Sequence, residues 1–166
     1  MNSTQEIDRP ASSVRSALIA FAVFLVIAGG SLAVVQRRGD LADVQGASGH
    51  IRQSTDGSRL EMVACMGRAE YRSTTSTLRH AELVTVAGQS ALDFSQARMA
   101  GDRGELQVFV MGGRAQVKVP PNWEVVTSDS LAVGALLNRA RHAQAEPVRT
   151  LRLEAVVLGG MLEVTH

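Results

Sequence analysis

Aromatic side chains are scarce in this chain: they make up only 4% of its 166 residues, with one tryptophan and one tyrosine. A core must therefore be assembled from Val, Leu, Ala and Met, which favours many short, closely stacked strands over a few large aromatic anchors. Cysteine is scarcer still. Cys65 stands alone, which excludes an internal disulfide and any cysteine-rich zinc site and leaves the redox compartment open. A charge imbalance is missing too, since 17 basic and 16 acidic residues leave a net charge of +1. Nothing in that balance points to nucleic acid as a partner.

The motifs of catalysis are equally absent. There is no phosphate-binding loop ending in Gly-Lys-Ser/Thr, no dinucleotide-binding glycine turn, no His-Glu-x-x-His and no Gly-x-Ser-x-Gly. His50, His80, His142 and His166 are widely spaced and read as surface residues. Cys65 lies among Val63, Ala64 and Met66, the setting of a buried apolar thiol rather than a nucleophile. Asp93 has no second carboxylate at a comparable strand position, so a turn-capping role fits it better than glycosidase chemistry. The expectation is a protein that is not an enzyme and takes no cofactor or metal.

What the chain does have is, first, a long apolar run. Residues 1–16 form a polar tail, and Ala17 to Val35 then carries no charge, with Ser31 its only polar residue. As a helix it extends about 28 Å, close to the hydrocarbon thickness of a bilayer. A cleaved signal peptide is the rival reading, but the run is long for a signal core and Val34-Val35-Gln36 is a poor cleavage site. An uncleaved single-pass membrane anchor is expected. Arg37 and Arg38 directly after the span favour a cytoplasmic C-terminal domain, nearly balanced by Arg9 and Arg15 before it. Residues 36–59, rich in Gly, Ser, Asp and Gln, read as a flexible tether.

The second feature is a repeat. From residue 60 to 166 one shape recurs: an apolar run, a glycine and a second short strand-like run. Aligned on Gly67, Gly88, Gly113, Gly134 and Gly160, the copies return every 21 to 26 residues, an interval typical of solenoids, in which each unit buries its apolar face on the next. Within the copy LQVFVMGGRAQVKV, alternation holds through Leu106, Val108 and Val110, then resumes one residue out of phase at Ala115, Val117 and Val119. In the copy at 84–94 the parity reads as unbroken through Val84, Val86, Gly88, Ser90, Leu92 and Phe94. The extra residue at Gly112-Gly113 therefore predicts a β-bulge with positive φ, forming a corner in a coil of strands. Pro120 and Pro121 end the ladder, having no N–H to donate. Trp123 follows in the turn, either covering an edge of the apolar interior or standing exposed as a binding anchor.

These residues resemble the C-terminal domain of LiaF-like proteins, the cell wall-active antibiotics response domain. The most specific likeness is GRAQVKVPPNWEV, Gly113 to Val125; GQSALDF at 88–94 and VVLGGMLEV at 156–164 resemble neighbouring units. The likeness covers roughly residues 60 to 166. It implies an all-β fold, a right-handed parallel β-solenoid of short Gly-punctuated strands. It also implies a non-catalytic, membrane-associated regulator or adaptor of envelope stress signalling with a protein partner. A self-assembling membrane-associated scaffold is the alternative, since solenoids expose end strands. Arg68, Arg72, Arg114 and Lys118 occupy the first and fifth positions after Gly67 and Gly113. Stacking is expected to bring them onto one basic, partner-binding face, or simply onto a solvated one.

Overall fold

The computed structural model describes residues 49–166, so the expected tail, the apolar span and the first part of the tether lie outside the described residues. All regular structure in the described part is strand. In chain order the strands are β1 (Gly49–Gln53), β2 (Arg59–Cys65), β3 (Arg68–Arg72), β4 (His80–Val86), β5 (Gln89–Asp93) and β6 (Arg103–Met111). They continue with β7 (Arg114–Lys118), β8 (Trp123–Ala132), β9 (Ala135–Asn138), β10 (Arg149–Leu158) and β11 (Met161–Thr165).

From β2 onward each turn of chain contributes one strand to each of two sheets whose strands run parallel, giving a β-solenoid. The longer sheet has the order β1-β2-β4-β6-β10-β8, the shorter one β3-β5-β7-β11-β9. Alternation along each strand sends one set of side chains between the sheets. In the longer sheet these are Leu60, Met62 and Ala64, then Leu83, then Leu106, Val108 and Val110, then Leu151, Leu153, Ala155 and Val157. The shorter sheet answers with Ala69, Leu92, Ala115, Val117, Leu162 and Val164. Small residues at the corners and leucines between them fill the interior with few aromatics. Phe94 and Trp123, both fully buried with ring centroids 5.9 Å apart, close it on the side of the long loops.

The tether is shorter than the composition suggests. Residues 49–53 form β1, which pairs antiparallel with β2 and covers that end of the longer sheet. The turn between them is held by Asp56, whose carboxylate accepts hydrogen bonds from the hydroxyls of Ser54 (2.6 Å) and Ser58 (2.9 Å) and from the Ser58 amide (3.1 Å). Those bonds draw its pKa down to about 2. Gly, Ser and Asp suit flexible segments, but they also make tight turns, as here.

The corner at Gly112-Gly113 carries no inserted residue. Val86 pairs with Met111 and Gln89 with Arg114, so the copies at 84–94 and 108–119 have equal length across the corner. Both shift phase by one, since every corner spends two residues between strands. The core residues of β4 are Ala81, Leu83 and Thr85; those of β5 are Ser90 and Leu92, with Phe94 directly after it. Val84 and Val86 face outward. The apparent unbroken parity arose because a buried hydroxyl pair, Thr85 and Ser90 at 2.5 Å, takes the inner positions at that corner. The true bulge lies elsewhere, in β8 opposite Leu153 and Glu154.

The first corner residue is left-handed in four copies, at Met66 (φ 46°), Ala87 (φ 48°), Gly112 (φ 65°) and Gly159 (φ 66°). The second is always glycine, and for a different reason. Gly88 lies on Gly67, Gly113 on Gly88, Gly160 on Gly113 and Gly134 on Gly160, so closely that a Cβ on any upper member would collide with the carbonyl oxygen beneath it. That close approach lets the next amide reach the same carbonyl, as Arg114 N does to Gly88 O at 2.9 Å. Gly113 is thus required by proximity, not by a positive φ.

The stacking order departs from the chain order. The unit built on Gly160 inserts between those on Gly113 and Gly134, leaving β8 and β9 as the end rung. The side chains explain the choice. The inner row of β10 is Leu151, Leu153, Ala155 and Val157, which needs cover on both sides. The matching row of β8 is Val125, Thr127, Ser130 and Ala132, of which the last three are exposed. Polar and small residues tolerate the water at an open end.

Candidate functional site

The outer faces of the two sheets differ in kind. On the shorter sheet, registered strands place Arg68, Gln89, Arg114 and Met161 in one row, Glu70, Ala91, Gln116 and Glu163 in the next, and Arg72, Asp93, Lys118 and Thr165 in the third. An open groove of about 480 Å³ runs over the second and third rows. Arg68, Arg72, Arg114 and Lys118 therefore do share one sheet face, but it is not a basic one. The Arg68 guanidinium donates to Glu70 at 2.6 Å and that of Arg72 to Asp93 at 2.9 Å. Arg139 pairs with Glu163 at 3.5 Å across the same face. Only Arg114 and Lys118 of the four have no acidic partner within ion-pair distance among the described residues. Acids occupy the row between the cations, at Glu70 and Glu163, and the third row itself, at Asp93.

Asp93 caps the turn after β5. Burial pushes its pKa up, but hydrogen bonds from Ser95 and Arg72 outweigh this and hold the carboxylate below its ordinary range. The Ser95 amide donates to it at 2.8 Å.

The outer face of the longer sheet is apolar over two adjacent rows. Val63, Val84, Phe109, Val156 and Leu131 fall in register in one; Cys65, Val86, Met111 and Leu158 fall in the other, beside Val133 in the corner directly after β8. Cys65 is thus half-buried on an outer face, not enclosed in the core as its neighbours suggested. Exposure rises toward the end rung, to 58% at Leu131 and 72% at Val133. A contiguous apolar strip of this kind marks a surface that meets something else.

Beside it runs an acidic row: Glu61, Glu82, Gln107, Glu154 and Asp129. At one end Arg152 lies 3.3 Å from Glu154 and 3.4 Å from Asp129. At the other, Glu61 and Glu82 stand on adjacent strands with no ion pair, and burial together with the Glu61 charge raises the Glu82 pKa. Like charges opposite one another across strands are destabilising; here Arg52 on β1 stands in register with Glu61, and the Arg59 and His80 charges offset part of the Glu82 shift.

The strip was visible in principle as runs in which both parities are apolar, Val108 to Met111 and Ala155 to Leu158. Such runs mark strands whose two faces both avoid water.

Trp123, the alternative exposed anchor, is 1% exposed and opens β8. Pro120 is buried, and its carbonyl accepts both the Trp123 amide at 3.1 Å and a ring nitrogen contact from His166 at 3.1 Å. Among the described residues, no three of His, Cys, Asp and Glu converge on a common point.

Comparison with known proteins returned no matching family model, no matching curated sequence and no matching solved structure.

Proposed function

We propose that this chain is a non-catalytic, membrane-anchored regulator or adaptor in the bacterial response to cell-envelope stress, working by protein–protein interaction. The observation that carries the binding role is the two-row apolar strip on the outer face of the longer sheet, which a solenoid needs for neither its core nor its corners. Its assignment to envelope stress rests on the likeness of Gly113 to Val125 and its flanking units to the LiaF-like domain. The anchor is the Ala17 to Val35 segment, and Arg37-Arg38 argue for a domain on the cytoplasmic side, within reach of a sensor kinase. The coil is right-handed in this reading, as parallel strand–crossover–strand connections are.

Crosslinked affinity capture of the full chain from membranes, with and without a wall-targeting antibiotic, tests the proposal. It is supported by recovery of one envelope-stress component whose yield changes with the antibiotic, and it fails if no such component is recovered in either state.

A scaffold is the second reading, favoured by the open edge of β8 and β9. Against a filament stands β1, which covers the opposite end of the longer sheet with an antiparallel strand. Self-assembly would then stop at pairs.

A further inference from the structure

We infer that two copies of this chain pair edge to edge at the open rung, the corner half of β8 in each copy lying antiparallel to β9 of the other. This homotypic interface does not depend on the regulatory reading and adds to it.

Backbone direction defines which groups are free. In the end rung Val133 N donates to Val157 O at 2.8 Å, Ala135 N to Gly160 O at 2.9 Å and Arg139 N to Val164 O at 2.8 Å, so these residues bond to the rung beneath. Alternation then turns the N–H and C=O groups of Ser130 and Ala132 on β8, and of Leu136 and Asn138 on β9, out of the stack, where neither sheet has a further strand. The half of β8 away from the corner is already closed. Val125 N donates to Ala140 O at 2.8 Å, and Asn138 Nδ2 donates to Val125 O at 2.8 Å. What stays open is a short double edge beside the corner, a template for another strand.

A second copy fits both halves of that edge at once. A two-fold axis along the strands lays β8 of each copy on β9 of the other, and they meet antiparallel because β8 runs toward the corner and β9 away from it. In one register the free groups face each other: Ser130 opposite Asn138 of the second copy, and Ala132 opposite its Leu136. The same register sets Leu131 beside Leu137 and Asp129 beside Arg139 on the outer faces. Leu131 and Leu137 are 58% and 39% exposed in one copy. Pairing covers their edges and leaves the outward face of Leu131 open.

Charge selects this arrangement over its rivals. Arg152 is shared by Asp129 at 3.4 Å and Glu154 at 3.3 Å, so two carboxylates stand on one guanidinium. Arg139 has Glu163 at 3.5 Å, and Lys118, in register with Thr165 on the strand beside β9, has no acidic partner among the described residues. The β8 rim is thus acid-rich and the β9 rim base-rich. The other two-fold, β8 on β8, meets the half-edge that Asn138 and Ala140 close and gives Asp129 no new cation. The chain's own N-terminal residues are a third occupant, but Gly49 enters β1 five strand spacings from β8, about 24 Å away. Residues 36–48 carry no sustained alternation to fill an edge. Because both copies use their open rung, the assembly closes at two.

The test uses full-length chains in membranes, two tagged copies expressed together, each with Cys65→Ala. Leu131→Cys in one copy and Leu137→Cys in the other should form an interchain disulfide on mild oxidation, since opposite residues in such a pair lie about 4.5 Å apart at Cα. Leu131→Cys in both copies should form none. Ala132→Pro, placed in the copy with Leu131→Cys, removes an N–H that bonds nothing within one copy. It should abolish the crosslink while the β-rich circular dichroism spectrum is kept. Asp129→Arg in that copy should lower the yield about two- to five-fold, the effect of one exposed ion pair, and Arg139→Asp in the other copy should restore it. No 131–137 crosslink, an equal 131–131 crosslink, or a crosslink that survives Ala132→Pro overturns the inference. A disulfide between Leu131→Cys and Val44→Cys within one chain assigns the edge to the chain's own N-terminal segment and likewise overturns it. Capture of an envelope-stress component in the absence of any 131–137 crosslink leaves the regulatory reading standing and removes only this interface.

Discussion

Gly113 lies directly over Gly88, so that a Cβ on the upper residue would occupy the space of the lower residue's carbonyl oxygen. The same overlap repeats through four steps of the stack, so the corner is a ladder in which backbone packs on backbone. Gly112, its neighbour, points its missing Cβ into open space and is constrained only by φ. The two glycines therefore predict different costs. Gly113→Ala must push strands apart, and an expected loss of about 3 kcal/mol or more corresponds to backbone strain with no flexible atom to yield. Gly112→Ala should cost about 1 to 2 kcal/mol, the penalty of a left-handed alanine. Ala87 already accepts that penalty at the equivalent position. Chemical denaturation of the two variants checks the ranking, and equal losses would remove the ladder from the account.

Thr85 and Ser90 form a buried hydroxyl pair across the β4–β5 corner. Removing one partner leaves the other unsatisfied, so Ser90→Ala should cost about 1 to 3 kcal/mol. Replacing both, as Thr85→Val with Ser90→Ala, should restore most of that loss. The double-mutant cycle reads this directly, and additive losses would contradict it.

Asp93 and Glu82 predict opposite pH effects. Asp93 has its folded-state pKa below the ordinary 3.8, so its contribution is present above that value and is lost as the pH falls through the folded pKa. Asp93→Asn should destabilise at neutral pH, and the gap to the parent should close on acidification. Glu82 has its pKa raised above the ordinary 4.5, so it costs stability as the pH rises through that range. Glu82→Gln should therefore stabilise at neutral pH and make no difference in acid. Denaturant midpoints measured across the acid range decide both signs.

The order of the rungs has its own signature. Leu153 belongs to an interior rung and Thr127, its register partner, to the end rung. Leu153→Ala should cost about 2 to 5 kcal/mol, as for a buried leucine. Thr127→Ala should stay within about 0.5 kcal/mol, as at an exposed site. Stacking in simple chain order would invert the pattern, placing Thr127 inside and Leu153 at the end.

Periodicity alone made the strands and corners legible, because a glycine every 21 to 26 residues is a strong signal for a two-residue turn in a coil. It did not reveal which unit sits beside which. Chain order is the natural assumption for a solenoid, and the exception depends on whether an inner row is apolar throughout, as in β10, or carries Thr127 and Ser130, as in β8. Spacing puts Arg68, Arg72, Arg114 and Lys118 on one sheet face, whereas the acids that pair there come from the intervening row, as Glu70 does, or from another copy in the same row, as Asp93 does. The apolar strip is masked in the pattern because Val84 and Val86 face outward while the polar Thr85 and Ser90 take the inner positions. Hydrophobicity ranks residues by side chain, but burial is decided by parity and by whether a hydroxyl finds a partner.

The most direct measurement is site-resolved photo-crosslinking in intact cells. A photoactivatable residue is placed at Leu131 on the apolar strip or at Gln116 on the opposite sheet, with and without a wall-targeting antibiotic. The account predicts an adduct to one envelope-stress protein from position 131, altered in yield by the antibiotic, and none from position 116. Adducts only to further copies of this chain, or equal adducts from both positions, would contradict it.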